Sequence, residues 1–302
     1  MNLELVIPEL LIFSGICVIL IIDLFLNNYK NNNALIYLSS VITLLISTII
    51  IVINFGNNLG LGFNGHFIKD NIGDILKISV YIALIISFVN RFYTEKKNLI
   101  NNNFYIFGLF TSLGISITVS AGTFITIFMG LELLSIPMYM VYILNDKSVI
   151  NYEISIKYFL NGAIASSILL YGMSLVYGLT GTINLININY IIEQLISESL
   201  LQNQIFLIFG IILIILGASF KFGSLPLQSI FSVNNKNINY LLDIIPKLIG
   251  ITIILRLSII GNIIDINDFI NTQQIIPIMI FLIIMTIGNL IFHKSIKKNH
   301  NI

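Results

Sequence analysis

Glu132, Lys157, Lys221 and Lys247 are ionisable residues set inside long apolar runs of the chain. A charge at the centre of a membrane helix costs on the order of 2.5–3.5 kcal/mol by insertion measurements, so residues of this type kept in such surroundings are candidates for function. One carboxylate and three amines on successive apolar segments are suited to passing protons. A carboxyl caught between apolar surroundings and a nearby ammonium is pulled two ways and can both gain and lose a proton.

Each residue has a competing, static reading. Glu132 lies in Gly130-Leu-Glu-Leu-Leu-Ser-Ile-Pro137, where Pro137 offers no N–H to the carbonyl of Leu133 and frees an acceptor beside the carboxylate. Its static alternative is a permanent salt bridge between two helices. Lys157, in Ile156-Lys157-Tyr158-Phe159, either snorkels to the headgroups or is the partner that tunes Glu132. Lys221, in Ala218-Ser-Phe-Lys221-Phe-Gly-Ser-Leu-Pro226, is an anchor if its helix ends there and a mid-membrane amine if the helix breaks and resumes. The apolar residues Phe222, Leu225, Leu227, Ile230 and Phe231 favour the break. Lys247 follows Asp243 by four residues, a spacing that can hold the amine charged and inert. Arg256 reads as an anchor, and Asp23 and Lys77, near span ends, are given no role. The small residues Gly162, Ala163, Ala165, Ser166 and Ser167 read as a helix-packing surface.

The elements that carry these residues follow from composition. The chain has 302 residues, 57% hydrophobic and 10% charged, against about 25% charged in soluble domains; it is an integral membrane protein. A net charge of +1 gives no reason for a nucleic-acid partner, and leaves lipids as the surroundings. The single cysteine, Cys17, excludes an internal disulfide, and one Cys with scattered His66, His293 and His300 holds no haem or iron–sulfur cluster in any familiar arrangement. Electron transfer, if any, belongs to a partner chain. No secretory signal or transit peptide is visible at the start. Heavy use of Ile, Asn and Lys without Trp fits an AT-rich organelle or endosymbiont genome.

Windows of about 20 apolar residues cross a ~30 Å hydrocarbon core. Nine are expected, over 6–26, 34–54, 75–93, 104–120, 123–144, 155–179, 204–222, 239–260 and 275–292. The fold class is therefore all-α and polytopic. A straight helix over 204–232 would be about 43 Å long, so the seventh span is expected to break near Lys221 and Pro226. Residues 183–200 alternate apolar and polar, as an interfacial helix or a loop would. Lys30, Lys96, Lys97, Lys147, Lys236, Lys294, Lys297 and Lys298 follow odd-numbered spans, and Arg91 lies at the end of the third. By the positive-inside rule the N-terminus faces outward and the C-terminus inward.

Three runs carry a family likeness: Gly130-Leu-Glu-Leu-Leu-Ser-Ile-Pro-Met-Tyr139, Ser155-Ile-Lys-Tyr-Phe159 with Ala165-Ser-Ser-Ile-Leu-Leu-Tyr-Gly-Met173, and Phe220-Lys-Phe-Gly-Ser-Leu-Pro226. Together with Lys247, Leu255-Arg256-Leu257, Gly288-Asn289-Leu290, Pro8-Glu9-Leu10 and Gly65…Asp70, they resemble the antiporter-like subunit 2 of respiratory complex I. The resemblance implies a proton-pump module with no redox cofactor of its own, flavin and iron–sulfur clusters being carried by partner subunits. It implies other membrane-arm subunits as partners and an antiporter-like fold with a broken seventh helix. Carried over, Glu132 modulates Lys221, Lys157 pairs with the glutamate, and Lys247 passes protons onward. Residues 1–98 would form three N-terminal helices, 99–260 a five-helix half, and 261–302 a ninth helix and tail opening an incomplete second inverted repeat. The remainder of that repeat is expected on a separate chain or lost. Gln228 stands where the family has a histidine and cannot relay by titrating, and the Lys221-to-Lys247 interval is short. The implied location is the mitochondrial inner membrane, N-terminus toward the intermembrane space and C-terminus toward the matrix, with a bacterial inner membrane as the alternative. A scaffold that no longer pumps, or a subunit of a multisubunit cation/proton antiporter, are the alternative functions.

Overall fold

Apolar runs unbroken by charge become helices because only a helix satisfies its own backbone in lipid. The computed structural model describes residues 3–26, 32–57, 59–94, 102–145, 149–197 and 201–221. A 3-10 turn over Leu3–Val6 leads into α1 (Ile7–Leu26), followed by α2 (Asn32–Ile53), α3 (Asn71–Thr94), α4 (Asn103–Val119) and α5 (Phe124–Asn145). Then come α6 (Val149–Thr180), α7 (Leu185–Ser197) and α8 (Leu201–Lys221). The first seven expected spans thus each coincide with a helix, and the boundaries differ by a few residues. The eighth and ninth spans, and the break after Lys221, lie outside the described residues.

Five stretches are long and apolar enough to cross a membrane: Leu3–Phe25, Asn33–Ile53, Asn71–Tyr93, Phe124–Val141 and Ser155–Thr180. Asn103–Val119 and Ile205–Ala218 are shorter apolar stretches. α4 is apolar all round and buried on nearly every side, which makes it the central post of the bundle. The N-terminal helices pack onto it through Phe88, whose ring meets Tyr105 edge-on at 5.2 Å and occupies the space a side chain at Gly108 would fill. One continuous hydrophobic core therefore joins α1–α3 to the helices that follow.

One feature departs from the all-α expectation. Strands β1 (Gly60–Gly62) and β2 (Phe67–Lys69) form an antiparallel hairpin between α2 and α3. Its backbone clasps the loop before α5, where Ile68 N–H donates to Ser120 at 2.8 Å and Gly122 N–H to His66 at 2.9 Å, and that loop in turn accepts Leu185 N–H at Gly122 at 3.0 Å. Gly65 and Asn64 take positive φ at the turn, a conformation that short apolar strands do not announce in sequence. Within the stretch 183–200, Leu185–Ser197 form a helix. α7 buries Leu185, Ile188 and Ile192 on one stripe and is only about 20 Å long, too short to span.

Candidate functional site

Glu132 is aimed by the packing of α5 on both sides. Gly130 and Leu134 face α4 so closely that a Cβ on Gly114 would sit 2.6 Å from Leu134 N and 2.9 Å from Gly130 O. A residue two positions from each of these lies on the opposite side of a helix, so Glu132 points away from α4. One turn past Ser135, Tyr139 fills the space above Gly162 of α6 and packs edge-on against Tyr158 and Phe159 at 5.1 and 5.6 Å. Pro137 lies inside α5, as read from sequence, and Ser135 Oγ donates to the carbonyl of Leu131.

Lys221 is aimed by the antiparallel seam of α6 and α8. A Cβ at Gly172 would lie 2.7 Å from both Gly210 O and Ile214 N, and one at Gly217 would lie 2.6 Å from Leu169 N and 2.8 Å from Ala165 O. Lys221 follows Gly217 by one turn and so projects onto α6 beside Ala165, where Ser166 stands. The small-residue stripe read as packing is packing, and Ser166 on it is also a polar contact.

These three helices bring Glu132, Ser166 and Lys221 together. Lys221 Nζ lies 2.5 Å from Glu132 Oε1 and donates to Ser166 Oγ at 2.9 Å. Ser166 Oγ in turn lies 2.5 Å from Glu132 Oε1 and 2.9 Å from the carbonyl of Gly162. A hydroxyl has one hydrogen and can accept while donating. Ser166 therefore accepts from Lys221 and donates to either the carboxylate or the carbonyl. The side chain of Lys221 is 4% exposed and that of Glu132 32%, so the ammonium is enclosed and the carboxylate forms the open edge of the site. Chemically, the arrangement is an ion pair with a hydroxyl beside it: a proton can pass directly between amine and carboxylate, or by way of Ser166.

Lys157 is placed elsewhere. Its Nζ meets Glu153 Oε1 at 2.6 Å, one turn away on α6, with the two side chains 55% and 63% exposed. The expected pairing with Glu132 does not occur because Lys157 sits nine residues before Ser166, about 13 Å along the helix at 1.5 Å per residue. The Lys157 ammonium holds the Glu153 carboxyl below the usual carboxylate range, chiefly through their hydrogen bond. Lys247, Gln228 and Asp243 lie outside the described residues.

A second buried cluster went unread in the sequence. Lys77, near a span end in the sequence, is 2% exposed and lies 2.7 Å from Glu9, itself 5% exposed. The signal is present as Asp74 and Lys77 on one face of α3, with Asp70 four residues before Asp74 at the helix start. Among the described residues no group of His, Cys, Asp and Glu is disposed to hold a metal ion.

The class defined by this fold and site is a polytopic helical membrane protein with an acid–amine contact between helices. The transmembrane-region profile of the NADH:quinone oxidoreductase/Mrp antiporter family matches residues 121–298. The chain belongs to that family, as an antiporter-like subunit of the complex I type. NADH-quinone oxidoreductase subunit N of Thioalkalivibrio sulfidiphilus is 34% identical over 261 residues, covering 85% of this chain and 53% of the relative. The subunit N of Nitrosomonas europaea is 29% identical over 298 residues, covering 96% and 60%. The chain thus spans about half the length of the curated relatives it matches. In fold it is similar to a chain of respiratory complex I from Thermus thermophilus with bound aureothin, with a TM-score of 0.66 at 16% identity over 82% of this chain and 52% of that one. It is also similar to a chain of the archaeal membrane-bound sulfane sulfur reductase, with a TM-score of 0.64 at 16% identity over 88% and 42%.

Proposed function

We propose that this chain is a membrane-arm subunit of respiratory complex I that contributes to proton translocation driven by NADH:quinone oxidoreduction. The observation that carries the reading is the contact between Lys221 and Glu132, with Ser166 bonded to both. In the resting pair the amine and the carboxyl face each other across 2.5 Å. When Lys221 passes its proton onward, toward Lys247, the carboxylate loses its partner and draws in the next proton. Moving one charge against 100 mV costs about 2.3 kcal/mol, so energy released by redox chemistry on partner subunits biases each step. Flavin and iron–sulfur clusters belong to those partners, and this chain performs no redox chemistry itself. Lys157, held by Glu153 on the exposed part of α6, serves as a charge at the edge of the path and does not touch Glu132.

The relatives named above are bacterial proteins, which supports a bacterial inner membrane; the Ile-, Asn- and Lys-rich composition supports a mitochondrial inner membrane. In either membrane the N-terminus faces outward and the C-terminus inward, by the distribution of Lys and Arg. Affinity purification of the tagged chain from its native membrane tests the assignment. Recovery with NADH-oxidising partners, and with any chain supplying a second lysine-bearing half, is expected. Recovery with other membrane subunits and no NADH-oxidising partner would favour the cation/proton antiporter reading instead.

A further inference from the structure

The stripe Asp70, Asp74, Lys77, Tyr81 runs down one face of α3 and meets Glu9 of α1 and Lys69 of β2. Glu9, Asp74 and Lys77 are 5%, 3% and 2% exposed. Neither α2 nor α4 contains a charged residue, and Glu4, in the turn before α1, is exposed. Among the described residues the cluster therefore counts three carboxylates (Glu9, Asp70, Asp74) against two ammoniums (Lys69, Lys77), one negative charge in excess. All of these charges lie within electrostatic reach of Asp74.

The ammoniums are already committed. Lys69 Nζ donates to the carbonyls of Asn54 and Asn57 at 3.2 and 2.9 Å. Lys77 Nζ lies against Glu9 Oε1, at an angle that makes no hydrogen bond, and stands 5.1 Å from the centre of the Phe67 ring. Asp70 accepts the Gly73 N–H at 2.9 Å and is partly open to its surroundings. Asp74 is less well served: its Oδ2 is buried with no hydrogen-bond partner, as are both oxygens of Glu9. A buried carboxylate oxygen without a donor is costly while charged.

We infer that the Glu9–Asp74–Lys77 cluster is a second proton-holding site, in the N-terminal three-helix unit, with the proton resident on Asp74. One proton added to a carboxylate oxygen cancels the excess charge, and the resulting O–H provides the cluster with a donor. No bond other than the O–H forms and nothing is oxidised or reduced. The inference stands apart from the Glu132–Lys221 pair, so pumping by that pair and proton occupancy here are separate readouts.

Infrared spectroscopy of the full chain, purified from native membranes with its bound partners, tests it near neutral pH. Difference spectra of wild type against Asp74→Asn should contain a protonated carboxyl C=O stretch that moves on exchange into D2O. Glu9→Gln removes one negative charge and should abolish the same band; Lys77→Met removes a positive charge and should leave it in place. Asp74→Asn imitates the protonated acid, so normal assembly is expected of that variant. A difference spectrum without the band would overturn the inference. Failure of Asp74→Asn alone to assemble would overturn it equally, since the ionised carboxylate would then be what the fold requires.

Discussion

Lys221 and Glu132 stand 89 residues apart in the chain, and their charged atoms lie 2.5 Å apart in the fold. Glycine packing on two separate seams sets that distance: Gly114 and Gly130 fix α5, and Gly172 and Gly217 fix α8 against α6. Breaking a buried pair from one side typically costs about 3–5 kcal/mol, whereas replacing both partners with apolar groups is often near neutral. Because Glu132 is a third exposed, the lower end applies here. A double-mutant cycle of Glu132→Gln and Lys221→Met, read by thermal unfolding in detergent, should give a coupling of about 1–3 kcal/mol. A coupling near zero would mean that the two residues do not interact.

Ser166 and its neighbour Ser167 make a clean comparison. Ser166 contacts both charges, while Ser167 Oγ donates only to the carbonyl of Ala163 on its own helix. Ser166→Ala should slow proton translocation severalfold and lower stability by about 1 kcal/mol, the usual worth of such a bond. Ser167→Ala should leave both unchanged. Equal effects from the two substitutions would remove Ser166 from the site.

The seam that positions Lys221 can be tested without touching a charge. A side chain at Gly217 would run into the backbone of α6, and overpacking of this kind costs about 1–3 kcal/mol. Gly217→Leu should therefore lower the unfolding temperature and proton translocation together. Gly178, also on α6, has open space around it, and Gly178→Ala should raise stability by about 0.5–1 kcal/mol through helix propensity.

Lys157 gives the case where sequence and structure point to different partners. Its contact with Glu153 is exposed, and exposed pairs contribute little. Lys157→Ala should leave the unfolding temperature within error and should weaken proton translocation far less than Lys221→Ala does. The pair also has a sign in pH: a carboxyl held low contributes above its ordinary titration range, and that contribution is lost as pH falls through the lowered value. Acidification should thus narrow any difference between wild type and Lys157→Ala. A loss of translocation as deep as that of Lys221→Ala would contradict the geometry.

The helices were legible because an apolar run of about 20 residues has few alternatives in lipid, and α1 to α6 and α8 lie where those runs lie. Glu132 and Lys221 were legible for the related reason that a charge inside such a run stands out. Their partnership is implied only by the family resemblance, because the contact itself depends on the register of three helices, which glycines at 114, 130, 172 and 217 set through backbone contact. Ser166 gave no signal, since a serine in a small-residue stripe looks like packing. Lys77 was passed over because it lies near a span end, and only the fold brings Glu9 of a distant helix against it. The hairpin at Gly60–Lys69 escaped notice because its strands are three residues long and its pairing is stabilised by loops far along the chain.

Proton translocation per NADH oxidised, measured in sealed inverted membrane vesicles for Glu132→Gln and Lys221→Ala, tests the central claim most directly. The result expected is an assembled complex that still oxidises NADH while translocating fewer protons per turnover. An unchanged ratio in both variants, with assembly and turnover intact, would contradict a translocating role for the Glu132–Lys221 pair and leave it as a static bridge between helices.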